Sequence, residues 1–488
     1  MPLQQRSPQH QYELVSGLEI HVQLNTNTKI FSADSTTFGA QPNQNISTVS
    51  LALPGALPKL NKEVVEKAVR IGLALNCTIN QTNHFDRKNY FYADLPKGYQ
   101  ITQDNQPICI NGFLELALAD GSSKRIGINR IHLEEDAGKS IHDQDDRFSL
   151  VDLNRAGVPL IEIVTEPDIR TSEEASALLN EVRKLVRHLN VSDGNMEEGS
   201  LRCDANISIR PVGASEFGTR CEVKNLNSMR NVRRAMDFEF TRQIEVIDNG
   251  GTILQSTLNF DADKGTTSPM RTKEEANDYR YFADPDLQPI YIADDWLNEI
   301  KNAMPVLPNQ ISKQMISEFG ITNADAAIFA EDLELLNYFN SALPFINVKK
   351  SLINWLIGPI RAVLNDKAIT IKQYLVKPQQ LAATINLVDN KKLSQKVAVQ
   401  QLLPAIETQT EQNDVAALAQ SLNLLISENT DELDEFIETV LANYPQQVEA
   451  FKKGKKGVLG LFVGDVMKLA KGKADAKKIN ELILEKLK

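Results

Sequence analysis

The chain has 488 residues, with 53 Lys+Arg against 64 Asp+Glu and a formal net charge of −11. That length suggests two to four domains, and 42% hydrophobic with 24% charged residues is a globular composition, which excludes global disorder and a collagen-like chain. No apolar run approaches the roughly 18 residues that span a bilayer, and the opening MPLQQRSPQHQY lacks a hydrophobic signal region, so a cytoplasmic protein without membrane association is expected.

In chain order, the first signal is a strand. Leu18, Ile20, Val22 and Leu24 alternate with Glu19, His21 and Gln23, the period-2 pattern of a half-buried strand. Residues 61–76 read as a helix, and so do 171–190, where Thr171 and Glu174 have the spacing of a capping box. Strand alternation returns with Cys203, Ala205, Ile207 and Ile209 against Asp204, Asn206, Ser208 and Arg210. It returns again with Cys221 and Val223 against Arg220, Glu222 and Lys224, before a helix over 227–249 that Gly250-Gly251 stops. From about Asp294 strand signals fade, and amphipathic segments such as 351–365 and 391–403 are joined by Pro and Asn breaks. The expected fold is α+β: a mixed-sheet domain over 1–295, an all-helical domain over 296–404 and a small helical tail domain over 405–488.

Charge is uneven along this plan. Residues 452–488 hold eleven Lys and four acids, a local +7, which leaves −18 on residues 1–451. Residues 406–451 carry ten acids and no Lys or Arg. An acidic total argues against non-specific nucleic-acid binding unless basic charge is concentrated, and here it is concentrated at the terminus. Cys77, Cys109, Cys203 and Cys221 contain no Cys-x-x-Cys pair, which points to a reducing compartment rather than a disulfide framework.

Three polar groupings are candidates for chemistry. Glu19 and His21 emerge on one side of their strand, as a site or as an ordinary exposed face. Arg130-x-His132-Leu-Glu134-Glu135-Asp136 packs three consecutive acids beside a His and an Arg, either a solvated loop or a shared divalent-cation site. Carboxylates suit Mg²⁺, while the His leaves Mn²⁺ or Zn²⁺ open. The polar faces around Asp204 and Glu222 are either cross-strand ion pairs or a floor for phosphate and metal. Familiar nucleotide and nucleophile motifs fail. Ala137-Gly138-Lys139-Ser140 resembles the end of a P-loop, but Leu133 stands where its first glycine belongs. No Gly-x-Gly-x-x-Gly follows a strand and no Gly-x-Ser-x-Gly elbow exists. Gly121-Ser122-Ser123 lacks the continuation of an amidase nucleophile loop, so a glutamine-hydrolysing centre within this chain is not expected.

Several longer segments together resemble one family. They are Gly17-Leu-Glu-Ile-His-Val-Gln-Leu24, Arg87-Lys-Asn-Tyr-Phe-Tyr92 with Asp94-Leu-Pro-Lys-Gly-Tyr-Gln100, and His132-Leu-Glu-Glu-Asp-Ala-Gly138. With them, in order, come Asn154-Arg-Ala-Gly-Val-Pro-Leu-Ile-Glu162, Glu198-Gly-Ser-Leu-Arg-Cys-Asp-Ala-Asn206, Glu222-Val-Lys-Asn-Leu-Asn227 and Tyr279-Arg-Tyr-Phe282. The sequence resembles the B-subunit family of the aspartyl/glutamyl-tRNA(Asn/Gln) amidotransferases from about residue 12 to the end.

The resemblance implies a cradle-like catalytic domain followed by the helical and tail domains. It implies ATP-dependent transamidation of misacylated Glu-tRNA(Gln) or Asp-tRNA(Asn) through a phosphorylated aminoacyl group. Ammonia would come from glutamine hydrolysed by a partner A subunit, and a small C subunit would complete a heterotrimer. Phosphoryl transfer is catalysed by alignment and charge neutralisation, so Mg²⁺ and basic side chains matter more than a nucleophile. Glu19, His21, Glu134 and Glu135 match the family's divalent-metal positions, with Glu222 a further ligand or neighbour of one. Arg87, Lys88, Arg155 and Lys224 are candidates for ATP-phosphate contacts, and Tyr90 and Tyr92 either stack on a base or pack. Many relatives carry Cys-x-x-Cys before Leu-Pro-Gly; Ser47 and Ser50 stand there, so no structural zinc is expected. Lys468, Lys471, Lys473, Lys477 and Lys478 flank apolar helix positions and read as a tRNA-binding face, or as an ordinary solvated one. Two other readings remain: a non-catalytic tRNA-docking subunit, and a stand-alone metal-dependent phosphohydrolase, which leaves the lysine block unexplained.

Overall fold

The computed structural model describes residues 11–118, 121–142, 145, 147–272, 278–409, 414–426, 430–470, 474 and 476–487. In chain order its strands are β1 (Tyr12–Gln23), β2 (Thr78–Ile79), β3 (Thr82–Asn83), β4 (Asp86–Asn89), β5 (Tyr99–Thr102), β6 (Cys109–Ala117), β7 (Ser123–Glu135) and β8 (Lys139–Ile141). They continue with β9 (Leu150–Asp152), β10 (Pro159–Thr165), β11 (Leu201–Pro211), β12 (Cys221–Leu226), β13 (Ser256–Asp261), β14 (Thr266–Thr272), β15 (Phe282–Ala283) and β16 (Ile290–Tyr291). Nine of them form one mixed sheet in the order β14-β13-β12-β11-β1-β10-β7-β6-β2, in which β12 and β13 run parallel. The α+β expectation holds.

Helices α1 (Lys62–Ala74), α2 (Ser172–His188) and α3 (Met229–Asp248) lay their apolar faces on one side of this sheet. Val64, Val69, Leu178, Val182, Val232 and Met236 enter the same core as Leu18, Ile20, Val22, Ile131, Ile161 and Ile163. Each such fully buried side chain contributes about 1.5–3 kcal/mol relative to exposure. Asn61, Thr171 and Ser228 cap the three helices through their side chains. The capping box expected at Thr171 forms only in part. Glu174 accepts from the Arg170 N–H at 2.8 Å and pairs with Lys124 at 2.6 Å, which draws its carboxylate past the Thr171 amide.

With helices on one face, strand alternation pushes Glu19, His21, His132, Glu134, Glu162, Asp204, Glu222 and Lys224 onto the other. A small sheet, β15-β4-β5, supplies Lys88 and Thr102 to the same region. Gly138, the glycine of the false P-loop, serves close backbone approach instead. A Cβ there would lie 2.9 Å from the carbonyl oxygens of Asp94 and Asp152.

The chain divides into two compact units, Met1–Leu307 and Pro308–Lys488. The helix that opens near Asp294, α4 (Asp294–Asn302), buries Leu297 and Ile300 in the core of the first unit. The change to helical periodicity at 295 therefore precedes the end of that unit. In the second unit every described element is helical, and its buried residues form two clusters, one from Ile311 to Leu424 and one from Leu433 to Leu487. No described helix is long and apolar enough to cross a membrane.

Candidate active site

Cross-strand register assembles the site. On β1, His21 faces Glu162 of β10, which in turn faces His132 of β7, so three strands place an imidazole–carboxylate–imidazole row on the open face. His21 Nε2 lies 3.5 Å from both Glu134 and Glu162, and His132 Nε2 lies 3.1 Å from Glu162 and 3.6 Å from Glu134. One step along the sheet, Glu19 pairs in register with Asp204, and Asn206 with Glu222. Lys224 bridges Asp204 and Glu222 at 2.8 Å each, Thr257 donates to Glu222 at 2.9 Å, and Asn206 donates to Glu19 at 2.9 Å. Glu19, His21, Glu134, Glu162 and Glu222 line one cavity of about 420 Å³, together with the cations Lys88, Arg130, Arg220 and Lys224.

The charges interact strongly. Burial raises the Glu19 carboxyl, and the neighbouring charge of Glu162 raises it further, against a lowering bond from Asn206. Burial would raise Glu162 too, but His132, His21 and Lys88 outweigh it and hold this carboxylate well below its ordinary range. Burial would lower His132, yet Glu162 and Glu134 overcome it and push the imidazole up to about 9. Lys224 is likewise desolvated but held charged by Asp204 and Glu222.

Two sets of side chains have the donor chemistry for divalent cations. Ligand atoms of His21, Glu134 and Glu162 lie within 4.8 Å of one another, and so do those of Glu19, Asp204 and Glu222. Carboxylates with one imidazole suit Mg²⁺ or Mn²⁺. Arg130 Nε and His132 Nδ1 are buried without a hydrogen-bond partner at the same place, which suits a cavity that takes a polar ligand.

The sequence-derived candidates distribute unevenly. Glu19, His21, Glu134, Glu222, Lys88 and Lys224 all line the cavity. Glu135 does not: as the next residue on β7 it points to the opposite side from Glu134, pairs with Lys97 at 2.6 Å and accepts from the Ile101 amide at 2.9 Å. It faces a second cavity, lined also by Lys29, Lys97 and Gly157. Arg87 binds Asp284 at 2.7 Å and Asp286 at 2.8 Å and stacks 4.2 Å from the Tyr99 centroid, away from the carboxylate floor. Arg155 donates to the carbonyls of Ala137 and Gly138, also outside the cavity. Ser47 and Ser50 both donate to Asp34, through the backbone amide and the hydroxyl respectively, and so tie the loop before Leu53-Pro54-Gly55.

Lys468 pairs with Asp465 at 2.7 Å on an exposed helix face, and Lys477 and Lys478 lie in the helix Ala476–Lys486. Lys471 and Lys473 lie outside the described residues. The structure adds Glu162, which stood in none of the three candidate groupings, and draws in His132 and Asp204, which stood in those groupings without an assigned role. The signal for Glu162 was a lone carboxylate in the apolar run Leu160-Ile161-Glu162-Ile163-Val164, where a buried charge needs a partner. Asp204 was visible as a polar-face residue two positions from Asn206.

Residues 14–298 match the family model of the GatB/GatE catalytic domain, and residues 337–487 match that of the GatB domain. The chain is 46% identical over 480 residues to the B subunit of the aspartyl/glutamyl-tRNA(Asn/Gln) amidotransferase of Caldicellulosiruptor bescii, covering 98% of this chain and 99% of that protein. It is 48% identical over 476 residues to the B subunit of the same name in Syntrophotalea carbinolica, covering 98% of each. With its counterpart in Chlorobium chlorochromatii it shares 46% over 477 residues, covering 98% of this chain and 99% of that one. Matches of this length and identity, spanning both units, mean that the chain belongs to the family of aspartyl/glutamyl-tRNA(Asn/Gln) amidotransferase B subunits.

Proposed function

We propose that this chain is the phosphorylating and amidating subunit of a tRNA-dependent amidotransferase working in the cytoplasm. Its relatives carry that complex in their names. The observation that carries the reading is the pair of carboxylate groups, His21/Glu134/Glu162 and Glu19/Asp204/Glu222, at one cavity whose lining also holds Lys88, Arg130, Arg220 and Lys224. A carboxylate resists amidation because it is anionic and offers a poor leaving group. In the proposed reaction, the side-chain carboxylate of misacylated Glu-tRNA(Gln), Asp-tRNA(Asn) or both attacks the γ-phosphorus of ATP, and the bond to ADP breaks. Ammonia, released from glutamine by a partner A subunit, then attacks the acyl carbon; phosphate leaves and nitrogen loses a proton. A small C subunit completes the heterotrimer.

Glu19, His21, Glu134, Glu162, Asp204 and Glu222 are the residues that would hold Mg²⁺. When bound there, the cation would offset phosphate charge and align the transferred group. Lys88, Arg130 and Arg220, in the lining of the same cavity, would present positive charge to phosphate oxygens. Lys224, bridging Asp204 and Glu222, keeps those two acids oriented before any cation arrives. His132 does the same for Glu162 and Glu134.

The test is reconstitution with A and C subunits and ATP-dependent amide formation on both misacylated tRNAs. Asp204→Asn and Glu162→Gln should abolish aminoacyl phosphorylation while glutaminase activity survives. Wild-type amidation by both variants overturns the assignment.

A further inference from the structure

The helical unit holds a cavity that the proposed chemistry does not use. It encloses about 140 Å³, and its lining comes wholly from residues 363–407 of the unit Pro308–Lys488. Two widened helical turns shape it. The π-helical stretches Leu356–Ile360 and Ala398–Leu402 each have a proline in or just after them, Pro359 and Pro404, which cannot donate an N–H into the helix. The helices Arg361–Lys367 and Leu403–Thr408 continue from these turns and carry Val363, Lys367, Leu403 and Glu407 into the lining. Turns of this kind recur at functional sites.

Val363, Val399 and Leu403 give the cavity apolar walls. Its polar lining carries both signs of charge. Lys367 pairs with Glu407, their side chains 42% and 15% exposed, and Asp366 adds a second carboxylate. Tyr374 completes the lining: it is only 6% exposed, and its hydroxyl is buried without a hydrogen-bond partner. Tyr338, buried in the same cluster, donates to the Val376 carbonyl at 2.8 Å, as a buried hydroxyl ordinarily does. Burial, and then the charge of Glu407, raise the Tyr374 hydroxyl, so it keeps its proton and can donate.

Size and charge select the occupant. About 140 Å³ is well below the roughly 300–1,000 Å³ of pockets that hold drug-sized ligands, and it suits a molecule of amino-acid size. A simple anion would satisfy Lys367 and strand Glu407, and a simple cation would do the reverse, each leaving a partly buried charge unmatched. A zwitterion inserted at the pair turns one ion pair into two and leaves the net charge unchanged. We infer that this cavity binds a free α-amino acid with a branched aliphatic side chain. Its carboxylate would meet Lys367 and the Tyr374 hydroxyl, its ammonium Glu407 and Asp366, and its side chain Val363, Val399 and Leu403. Apolar walls desolvate a side-chain amide or carboxylate without repaying the cost, which selects against glutamine and glutamate. The inference stands independently of the transamidation reading.

The test is calorimetric titration of the full chain with L-leucine, which the wild type should bind at a single site. Isoamylamine, which lacks the carboxylate, and isocaproate, which lacks the ammonium, should each bind more weakly by about tenfold or more, and so should L-glutamine. Tyr374→Phe keeps the ring and removes only the hydroxyl, and should weaken leucine binding about tenfold. Val399→Trp should abolish binding by filling the cavity, while Lys372→Met, at an exposed lysine outside the lining, should leave it unchanged. No binding of leucine by the wild type overturns the inference. So does unchanged affinity in Tyr374→Phe, or either analogue binding as tightly as leucine. A Tyr374→Phe variant that loses affinity for tRNA, with no leucine binding in the wild type, also overturns it and assigns the cavity to an RNA base.

Discussion

Glu162→Gln tests the electrostatic logic of the site directly. The substitution keeps size and one acceptor oxygen but removes the charge that lies 3.1 Å from His132 and 3.5 Å from His21. His132 is fully buried and would titrate below the ordinary imidazole range on burial alone, yet it stands at about 9 against an ordinary 6.5. That difference is worth about 3 kcal/mol, shared between Glu162 and Glu134. With Glu162 neutral, the His132 midpoint in metal-free protein should fall by at least one unit. The sign for stability follows from linkage. A raised imidazole stabilises the fold fully below its unfolded value of about 6.5, and this contribution disappears as pH climbs through about 9. Glu162 is depressed and contributes above the ordinary carboxylate range, so wild type should exceed the variant most between about pH 5 and 6.5 and converge with it near pH 9. The chain has only six histidines, so selective ¹³C-histidine labelling and NMR titration in EDTA resolve the midpoint. Adding Mg²⁺ to wild type should lower it as well, because a cation among the carboxylates removes their pull. A His132 midpoint that stays near 9 in the variant would refute this reasoning.

Other consequences follow from the same structure. Lys29, buried beside Glu135, is pushed down by burial to about 8, so its folded form releases a proton before the unfolded chain does. Lys29→Met should therefore stabilise the protein by up to ~3 kcal/mol at pH 7, with the gain closing as pH rises from about 8 to 10.4 in denaturant melts; equal stability at pH 7 would contradict the burial penalty. Phe462, fully buried in the tail cluster, should cost about 3–5 kcal/mol on truncation to Ala, seen as lost hydrogen-exchange protection across 433–487. Replacing Lys477 and Lys478 by Glu should lower tRNA affinity and flatten the slope of log K against log salt by about 1 for each phosphate that a lysine had neutralised. An unchanged slope removes these two lysines from the RNA interface.

Period-2 alternation in one short stretch was enough to put Glu19 and His21 on the same face of one strand, and the same rule separates Glu134 from Glu135. Treating those two acids as a pair set that rule aside, and Glu135 turns out to bind Lys97 on the other side of the sheet. Arg87 and Arg155 looked available for phosphate in the sequence because their partners, Asp284 and the carbonyls of Ala137 and Gly138, lie well away along the chain. The helix at Asp294 was legible as a helix, but its membership of the first core depends on where Leu297 and Ile300 are buried.

Net charge shows the same division. The total of −11 and its split into an acidic body and a basic tail were readable from sequence alone. Local periodicity, caps and motif order likewise determined the α+β class, the open polar face of β1 and the family resemblance, because each depends on residues a few positions apart. Only the tertiary structure decided that Glu162 sits between His21 and His132 and that Asp204 joins Glu19 and Glu222. Those relations depend on which segments become neighbours, and His21–Glu162 and Glu19–Asp204 join strand positions more than a hundred residues apart. Register is set by which apolar faces can be buried together across the whole sheet, and no local pattern encodes it.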